Sequence, residues 1–470
     1  MIFETIKSNG LASLSYIIGD GGACAVIDPR RDVEAYLAVA SEHGAKITHI
    51  VETHVHADFV SGSRELAART GATIYGGRIR NEVQGDYGFD ITELENGDTL
   101  EIGSIKLRVL YTPGHSSEHL SYVISGGGAG AEDEWAVFTG DSLFAGEVGR
   151  PDLEPGADHE ELASKLYDSL YDKLMALDDG IEVYPGHGEG SPCGSSIGAR
   201  DKTTIGYERR HNPRLQEDEK SRFVNTLLGE LEEEPMPAYY ARLKHLNHEG
   251  PQVLGALEAL EPYSVDAFEK LVDDEDVTII DAREIEAFAA AHISGSLNIA
   301  LRGSFPVWVG RLLDAERDYV LIADDAAAVE TARIHLLRIG VDNLKGYLSG
   351  GFTSWFNAGK PYESMGLISV HELRRRQEAG EDDLQILDVR SPKEWHSGHI
   401  QDAQHIYVPD LPEKMSHLDR ERPVLTYCGS GYRASIAASM LAANGFSQVY
   451  NLPGSMAAWE AADYPLVDER

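Results

Sequence analysis

Residues 53–59, Thr53-His54-Val55-His56-Ala57-Asp58-Phe59, follow the apolar run Ile47-Thr48-His49-Ile50-Val51. The run reads as a buried strand, because β-branched residues dominate it. Two imidazoles two residues apart, with a carboxylate two further on, put nitrogen and oxygen donors on one loop at a strand end. Transition metals take that mixture of donors, and polar groups buried without such a partner are costly. The next position holds Phe59, which has no donor atom.

The same pattern returns three times. Residues 105–111 run into Thr112-Pro113-Gly114-His115, residues 135–139 into Gly140-Asp141, and residues 181–184 into Pro185-Gly186-His187. Glycine lets each of these three loops turn tightly. Four apolar strands ending in His or Asp are better explained by convergence on one site than by four unrelated surface residues. Around them, residues 14–18 and 25–28 read as strands, 33–43 as a helix, and 62–70 as a helix ended by Gly71. Cys24 reads as a small buried apolar residue. Residues 125–134 read as a flexible acidic hairpin loop, and the basic stretch 200–214 reads as a salt-bridged connector in preference to a site for an anionic thiol carrier.

A chain of 470 residues is too long for a single core and suggests about three domains. Its 41 basic and 78 acidic residues give a net charge of −37, which repels phosphate backbones and anionic membranes. Nucleic acid and membrane are therefore not expected partners. The acids are dispersed and Lys is scarce beside Arg, a pattern suited to high salt, where screening weakens self-repulsion. An unfolding midpoint that rises in molar KCl is the expected consequence. Three cysteines, Cys24, Cys193 and Cys428, make a disulfide framework implausible, and residues 1–10 carry no apolar leader-like run. Both features give a cytoplasmic location as the expectation.

From Tyr263 the chain repeats itself. An offset of 107 relates Asp281 to Asp388 and His292 to His399, and one of 104 relates Gly350 to Gly454 and Trp355 to Trp459. Strands alternate with amphipathic helices, as a parallel α/β sheet requires. In the second copy an apolar strand delivers Cys428-Gly429-Ser430-Gly431-Tyr432-Arg433 and a helix follows. Backbone N–H groups at a helix N-terminus, with Arg433 beside them, favour a reactive thiolate. The first copy has Asp324 and Val329 where Cys428 and Arg433 align, so it is expected to be catalytically dead.

The order THxHxD, PGH, TGD, PGH resembles the metallo-β-lactamase superfamily, and the motif Leu-Asp-Val-Arg-x₃-Glu-x₃-Gly-His-Ile resembles the rhodanese fold. Together they imply an α/β multidomain protein: an αββα sandwich with a helical connector over 1–260, then two rhodanese-like domains with parallel sheets, inactive over 261–363 and active over 364–470. The segment 139–153 is similar to persulfide dioxygenases of that superfamily. That resemblance implies one Fe(II) per chain on His54, His115 and Asp141, with His56, Asp58 and His187 as supporting groups. It implies oxidation of a thiol persulfide by O₂ to sulfite, with Cys428 and Arg433 transferring sulfur and Gly429, Ser430, Gly431 and Tyr432 binding substrate. Sulfite or thiosulfate would be product or substrate, and the protein a homo-oligomer. Arg150 is expected either to meet a substrate carboxylate or to pair with Asp152. Cys193 either handles sulfur or packs. Two alternatives remain: a glyoxalase II-like hydrolase, which Phe59 opposes, and a persulfide-binding relay without catalysis.

Overall fold

The computed structural model describes residues 1–467 except 80–84, 129–132, 195, 232–235 and 381–382. It divides into two compact units, 1–257 with 337–340, and 258–336 with 341–470.

The first unit is built on two six-stranded sheets. One runs in the order Ile2–Ser8, Ser13–Asp20, Ala23–Ile27, Lys46–Val51, Thr73–Gly77, Thr92–Leu94. Its first two pairings are antiparallel and the remaining three parallel. The other contains Thr99–Ile102, Ile105–Tyr111, Leu120–Gly126, Glu134–Gly140, Glu182–Pro185 and Thr203–Thr204, in chain order across the sheet. Alternate side chains of both sheets, among them Tyr16, Ile18, Val51, Leu107, Val109, Tyr122 and Phe138, share one buried core. Side chains have period two along a strand, so the opposite faces need covers. Helices Glu34–Glu42 and Ser63–Thr70 cover one sheet, and His159–Asp168 and Lys220–Leu231 the other. This is the expected αββα sandwich. The acidic loop joins Leu120–Gly126 to its antiparallel partner Glu134–Gly140; its residues 129–132 lie outside those described.

Helix Ser63–Thr70 ends at Gly71 in the left-handed conformation, φ 73°, as the glycine implied. Cys24 is fully buried in an apolar cluster. The basic stretch is indeed salt-bridged: Arg209 pairs with Asp179, Lys202 with Glu182 at 2.9 Å, and Arg214 with Glu147 at 2.7 Å.

The second unit carries two five-stranded sheets with all strand pairs parallel, in matching orders. The first is Glu261–Tyr263, Leu344–Leu348, Asp318–Ile322, Val277–Asp281, Leu297–Asn298; the second is Gly366–Leu367, Val449–Asn451, Val424–Tyr427, Gln385–Asp388, Ala403–His405. The repeated Asp-x-Arg is a buried ion pair in both: Arg283 to Asp281 at 2.5 Å, Arg390 to Asp388 at 2.6 Å. Each such pair also satisfies a carboxylate that burial would otherwise penalise. Among the described residues, no helix is long and apolar enough to cross a membrane.

Candidate metal centre and cysteine loop

Four loops meet at one edge of the sandwich. His54 leaves strand Lys46–Val51, His115 leaves Ile105–Tyr111, Asp141 leaves Glu134–Gly140, and His187 leaves Glu182–Pro185. One donor atom each from His54, His115 and Asp141 lies within 4.8 Å of the others, and all three residues are buried. His54 Nε2 is 3.9 Å and His115 Nε2 3.6 Å from Asp141 Oδ2. Those separations are too long for hydrogen bonds and suit three donors sharing one ion. The residues present therefore fit a single metal.

Hydrogen bonds fix the tautomer of His54. Thr53 Oγ1 donates its one proton to Asp28 Oδ2 at 2.8 Å, because a carboxylate only accepts. Toward His54 Nδ1, 2.9 Å away, the same oxygen must accept. His54 thus carries its proton on Nδ1 and presents the Nε2 lone pair to the site. Burial, reinforced by neighbouring imidazoles, holds His54 well below the usual histidine range, and burial takes His115 down to about 4. Both are neutral near pH 7, the form that binds metal. Burial would raise Asp141, but His187 and then His115 and His56 outweigh it and hold the carboxyl below its ordinary range.

His187 bridges two carboxylates, with Nδ1 2.8 Å from Asp141 Oδ1 and Nε2 2.8 Å from Asp58 Oδ2. Burial works against its charged form, yet Asp141 and Asp58 prevail and bring it up to about 10. Cys193 is buried within reach of Asp58 and His187, so these three form a second donor group. Burial and the two aspartates push its thiol well up. His56 faces elsewhere, its Nε2 3.2 Å from Asp28 Oδ1 and 3.3 Å from Glu52 Oε2, with the Phe59 ring centroid 4.3 Å from its own.

Arg150 takes the ion-pair alternative: Nε and Nη2 grip Asp152 at 2.6 and 2.7 Å, and Nη1 donates to Pro192 O at 3.3 Å. Its Nε–Nη2 fork is thus engaged by Asp152, the ion-pair alternative of the sequence reading.

Several residues escaped the sequence reading. His119 Nε2 accepts from the Asp141 N–H at 3.0 Å, and burial drives it down to about 3. Glu118, fully buried, accepts from Val55 N at 2.9 Å. Asn247 donates to His56 O and Phe59 O at 2.8 and 2.7 Å and accepts from Ser61 N at 2.9 Å.

In the second unit, strand Val424–Tyr427 delivers Cys428 to the foot of helix Tyr432–Ala443. Gly431 N donates to Cys428 Sγ at 3.1 Å, and Cys428 N donates to Ser455 Oγ at 3.1 Å. Gly431 has φ 104°, where a side chain would be strained, so the loop turn needs glycine. Arg433 is held by Glu394 through two bonds of 2.6 and 2.7 Å. Gly429 is half-buried and Ser430 exposed at the loop's open edge. Tyr432 donates its hydroxyl to Ala300 O at 2.9 Å, which anchors the loop. At the equivalent place in the first repeat, Asp325 caps helix Ala326–Arg338 by accepting from Ala328 N at 2.8 Å.

Comparison with known proteins gives two family matches: the metallo-β-lactamase superfamily over residues 8–187, and the rhodanese-like domain over 264–358 and 369–462. A crystal structure described as a metallo-β-lactamase from Staphylococcus aureus is 32% identical with a TM-score of 0.67, covering 74% of this chain and 99% of that one. A hydroxyacylglutathione hydrolase of Rhodospirillum rubrum is 39% identical over 166 residues, which is 35% of this chain and 57% of the hydrolase. A probable metallo-hydrolase of Burkholderia pseudomallei is 30% identical over 248 residues, 46% of this chain and 81% of that protein. The chain thus spans little more than half of the first of these two relatives.

Proposed function

From the premise that this chain belongs to the metallo-β-lactamase superfamily and carries two rhodanese-like domains, we propose that it oxidises a low-molecular-weight thiol persulfide and transfers sulfane sulfur. The overall reaction of the first unit is R–SSH + O₂ + H₂O → R–SH + SO₃²⁻ + 2H⁺. His54, His115 and Asp141 would hold one Fe(II), which supplies a Lewis-acidic, redox-active centre with open positions for substrate and O₂. Thr53 and Asp28 keep the His54 Nε2 lone pair turned inward, and His187 orients the Asp141 carboxylate through its Nδ1–H. The buried walls exclude bulk water from a reactive sulfur species. The reading rests on one observation: Phe59, 2% exposed and against His56, has no donor atom at the position where glyoxalase II-like hydrolases of the superfamily carry the last His of an HxHxDH motif that holds two metals.

In the second unit, the Cys428 thiolate is the sulfur acceptor. Its setting, under the Gly431 N–H and beside the Glu394–Arg433 pair, supports making thiosulfate from sulfite or using it. Persulfide detoxification in a reducing cytoplasm, by a homo-oligomer that engages small molecules in preference to nucleic acid or membrane, completes the proposal.

Thioester hydrolysis is the competing reading. The similarity to a hydroxyacylglutathione hydrolase and the Asp58, His187 and Cys193 donor group favour it. The deciding experiment is anaerobic Fe(II) loading, followed by O₂ uptake and sulfur-product analysis with several persulfides, for wild type and Cys428→Ser. O₂ uptake should persist in the variant while thiosulfate formation is lost. Two bound metals and thioester cleavage without O₂ uptake would support the hydrolase. No O₂ uptake and no hydrolysis would leave a relay protein. If the variant also stops consuming O₂ with a small soluble persulfide, the division between two sites is wrong.

A further inference from the structure

The repeat that lacks a cysteine reaches the cysteine loop of its neighbour. Tyr432 is tied to Ala300 O, and a side chain on Gly431 would meet Ile285 Cδ1 at 3.5 Å. Arg302 lies 6.0 Å over the Tyr432 ring and is itself paired with Glu284. On helix Phe305–Leu312 of the same repeat, half-buried Arg311 donates from Nη1 to the Tyr407 hydroxyl at 3.1 Å. Its guanidinium carbon stands 5.8 Å from the Trp308 ring centroid.

Two facts bear on Arg311. Among the described residues no carboxylate lies within ion-pair distance of it, in a chain carrying 78 acids. Meanwhile the loop's own Arg433 is neutralised by the Glu394 fork, so it brings no net charge to an incoming anion. Tyr407 feels the charges of both Arg311 and Arg433, and a side chain on Gly429, next to Cys428, would meet Arg433 Nη2 at 3.1 Å. The other acid on the Tyr407 turn, Asp410, is held by Lys414 at 2.8 Å. A guanidinium with most of its five donors free, beside a phenol hydroxyl, matches the oxygens of a sulfur oxyanion.

We propose that Arg311, with the Tyr407 hydroxyl it holds, is an oxyanion subsite supplied by the inactive repeat, binding thiosulfate or sulfite at the mouth of the Cys428 loop. This rests on the sulfurtransferase reading of that loop. In the transfer, the Cys428 thiolate forms a bond to the outer sulfur of S–SO₃²⁻. The S–S bond of thiosulfate breaks, its electron pair leaves with SO₃²⁻, and Cys–S–S⁻ remains. Arg311 holds the sulfonate oxygens on both sides of this step; the reverse reaction uses the same contacts.

The test compares alkylation of Cys428 by anionic iodoacetate and neutral iodoacetamide, read by peptide mass, in the full-length protein. Arg311→Met should lower the iodoacetate-to-iodoacetamide rate ratio about fivefold, as expected for loss of one charge-assisted contact near the surface. The iodoacetamide rate should stay within about twofold. Arg311→Lys, which keeps the charge and loses the fork, should recover about half of the lost ratio. Sulfite protection of Cys428 from iodoacetamide should need a several-fold higher concentration in Arg311→Met. An unchanged ratio, or an equal fall for both reagents, overturns the subsite. If wild-type Cys428 gains no sulfur adduct from thiosulfate, the sulfurtransferase reading falls; a normal adduct with an unchanged ratio removes only the role of Arg311.

Discussion

Replacing Asn247 by Leu tests whether the metal loop is held from outside. The residue is 5% exposed, and its side chain makes three hydrogen bonds to the loop backbone, to His56 O, Phe59 O and Ser61 N. Leu has nearly the same size, so the change removes polarity without opening a cavity for water. Each bond contributes about 1 kcal/mol net, and the groups left buried and unpaired each cost about 1–3 kcal/mol. A loss of roughly 3–5 kcal/mol follows, less whatever the loop recovers by shifting. For a unit of this size, a urea slope of roughly 3 kcal/mol/M turns that into a midpoint about 1–1.7 M lower. The assay is urea unfolding, with hydrogen exchange of peptides spanning 53–61 as a local reading. Asn247→Asp keeps the Ser61 bond but sets a carboxylate against two carbonyls, so at pH 7 it should fare no better than Leu. A midpoint within about 0.3 M of wild type for Asn247→Leu would refute the clamp, since it would mean the three bonds contribute under about 1 kcal/mol together.

Phe59→His adds a donor next in sequence to Asp58, a member of the second group with His187 and Cys193. Metal per chain, by elemental analysis after reconstitution, should move from one toward two; no change would mean that Phe59 is not what limits the count. In the cysteine loop, burial alone would raise Glu394, but its bonds to Arg433 outweigh this and bring it from 4.5 to about 2. Because the folded value is the lower one, the pair's stabilisation is complete above pH 4.5 and fades as pH falls toward 2. The Glu394 side chain is 38% exposed, so solvent reduces the pair to roughly 1 kcal/mol. The unfolding free energy of Glu394→Gln should trail wild type by that amount at pH 7 and converge with it as pH approaches 2; a gap independent of pH would contradict the assignment.

The candidate ligands were legible because their types follow apolar strands in a repeated pattern, and strand ends converge wherever a sheet has one edge. The tandem repeat was legible because two copies of one fold keep their offsets. Asp28 and Glu52 obeyed the same rule, each closing an apolar strand, and could have been found with it. They were passed over because neither stands beside a His or Gly in sequence. Asn247 offered no such signal. Its partners lie 186 to 191 residues away, and a lone Asn on an amphipathic helix is indistinguishable from a solvated one until the packing is known. Arg150 shows the opposite limit: its charge and Asp152 were both visible, but which partner it takes could be read only from the geometry of the pair.

The proposal of a single metal draws on more than the aromatic residue at position 59. Two histidines spaced as His54 and His56 are could both turn inward, and here only His54 does. Asp28 organises both outcomes. Its Oδ2 sets the Thr53 hydroxyl that fixes the His54 tautomer, while its Oδ1 joins Glu52 in drawing His56 away. Burial disfavours a charged His56, yet the two carboxylates prevail and hold it well above the ordinary histidine range. An imidazolium has no lone pair to offer a metal. A return to two metals would therefore require a histidine at 59 together with a donor for the other site that His56, while paired with Asp28 and Glu52, does not supply. Phe59→His alone should fill the second site more weakly than the first, and Phe59→His combined with Glu52→Gln, which weakens the hold on His56, should bind the second ion more tightly than Phe59→His does. Equal affinity in the two variants would show that His56 takes no part in the count.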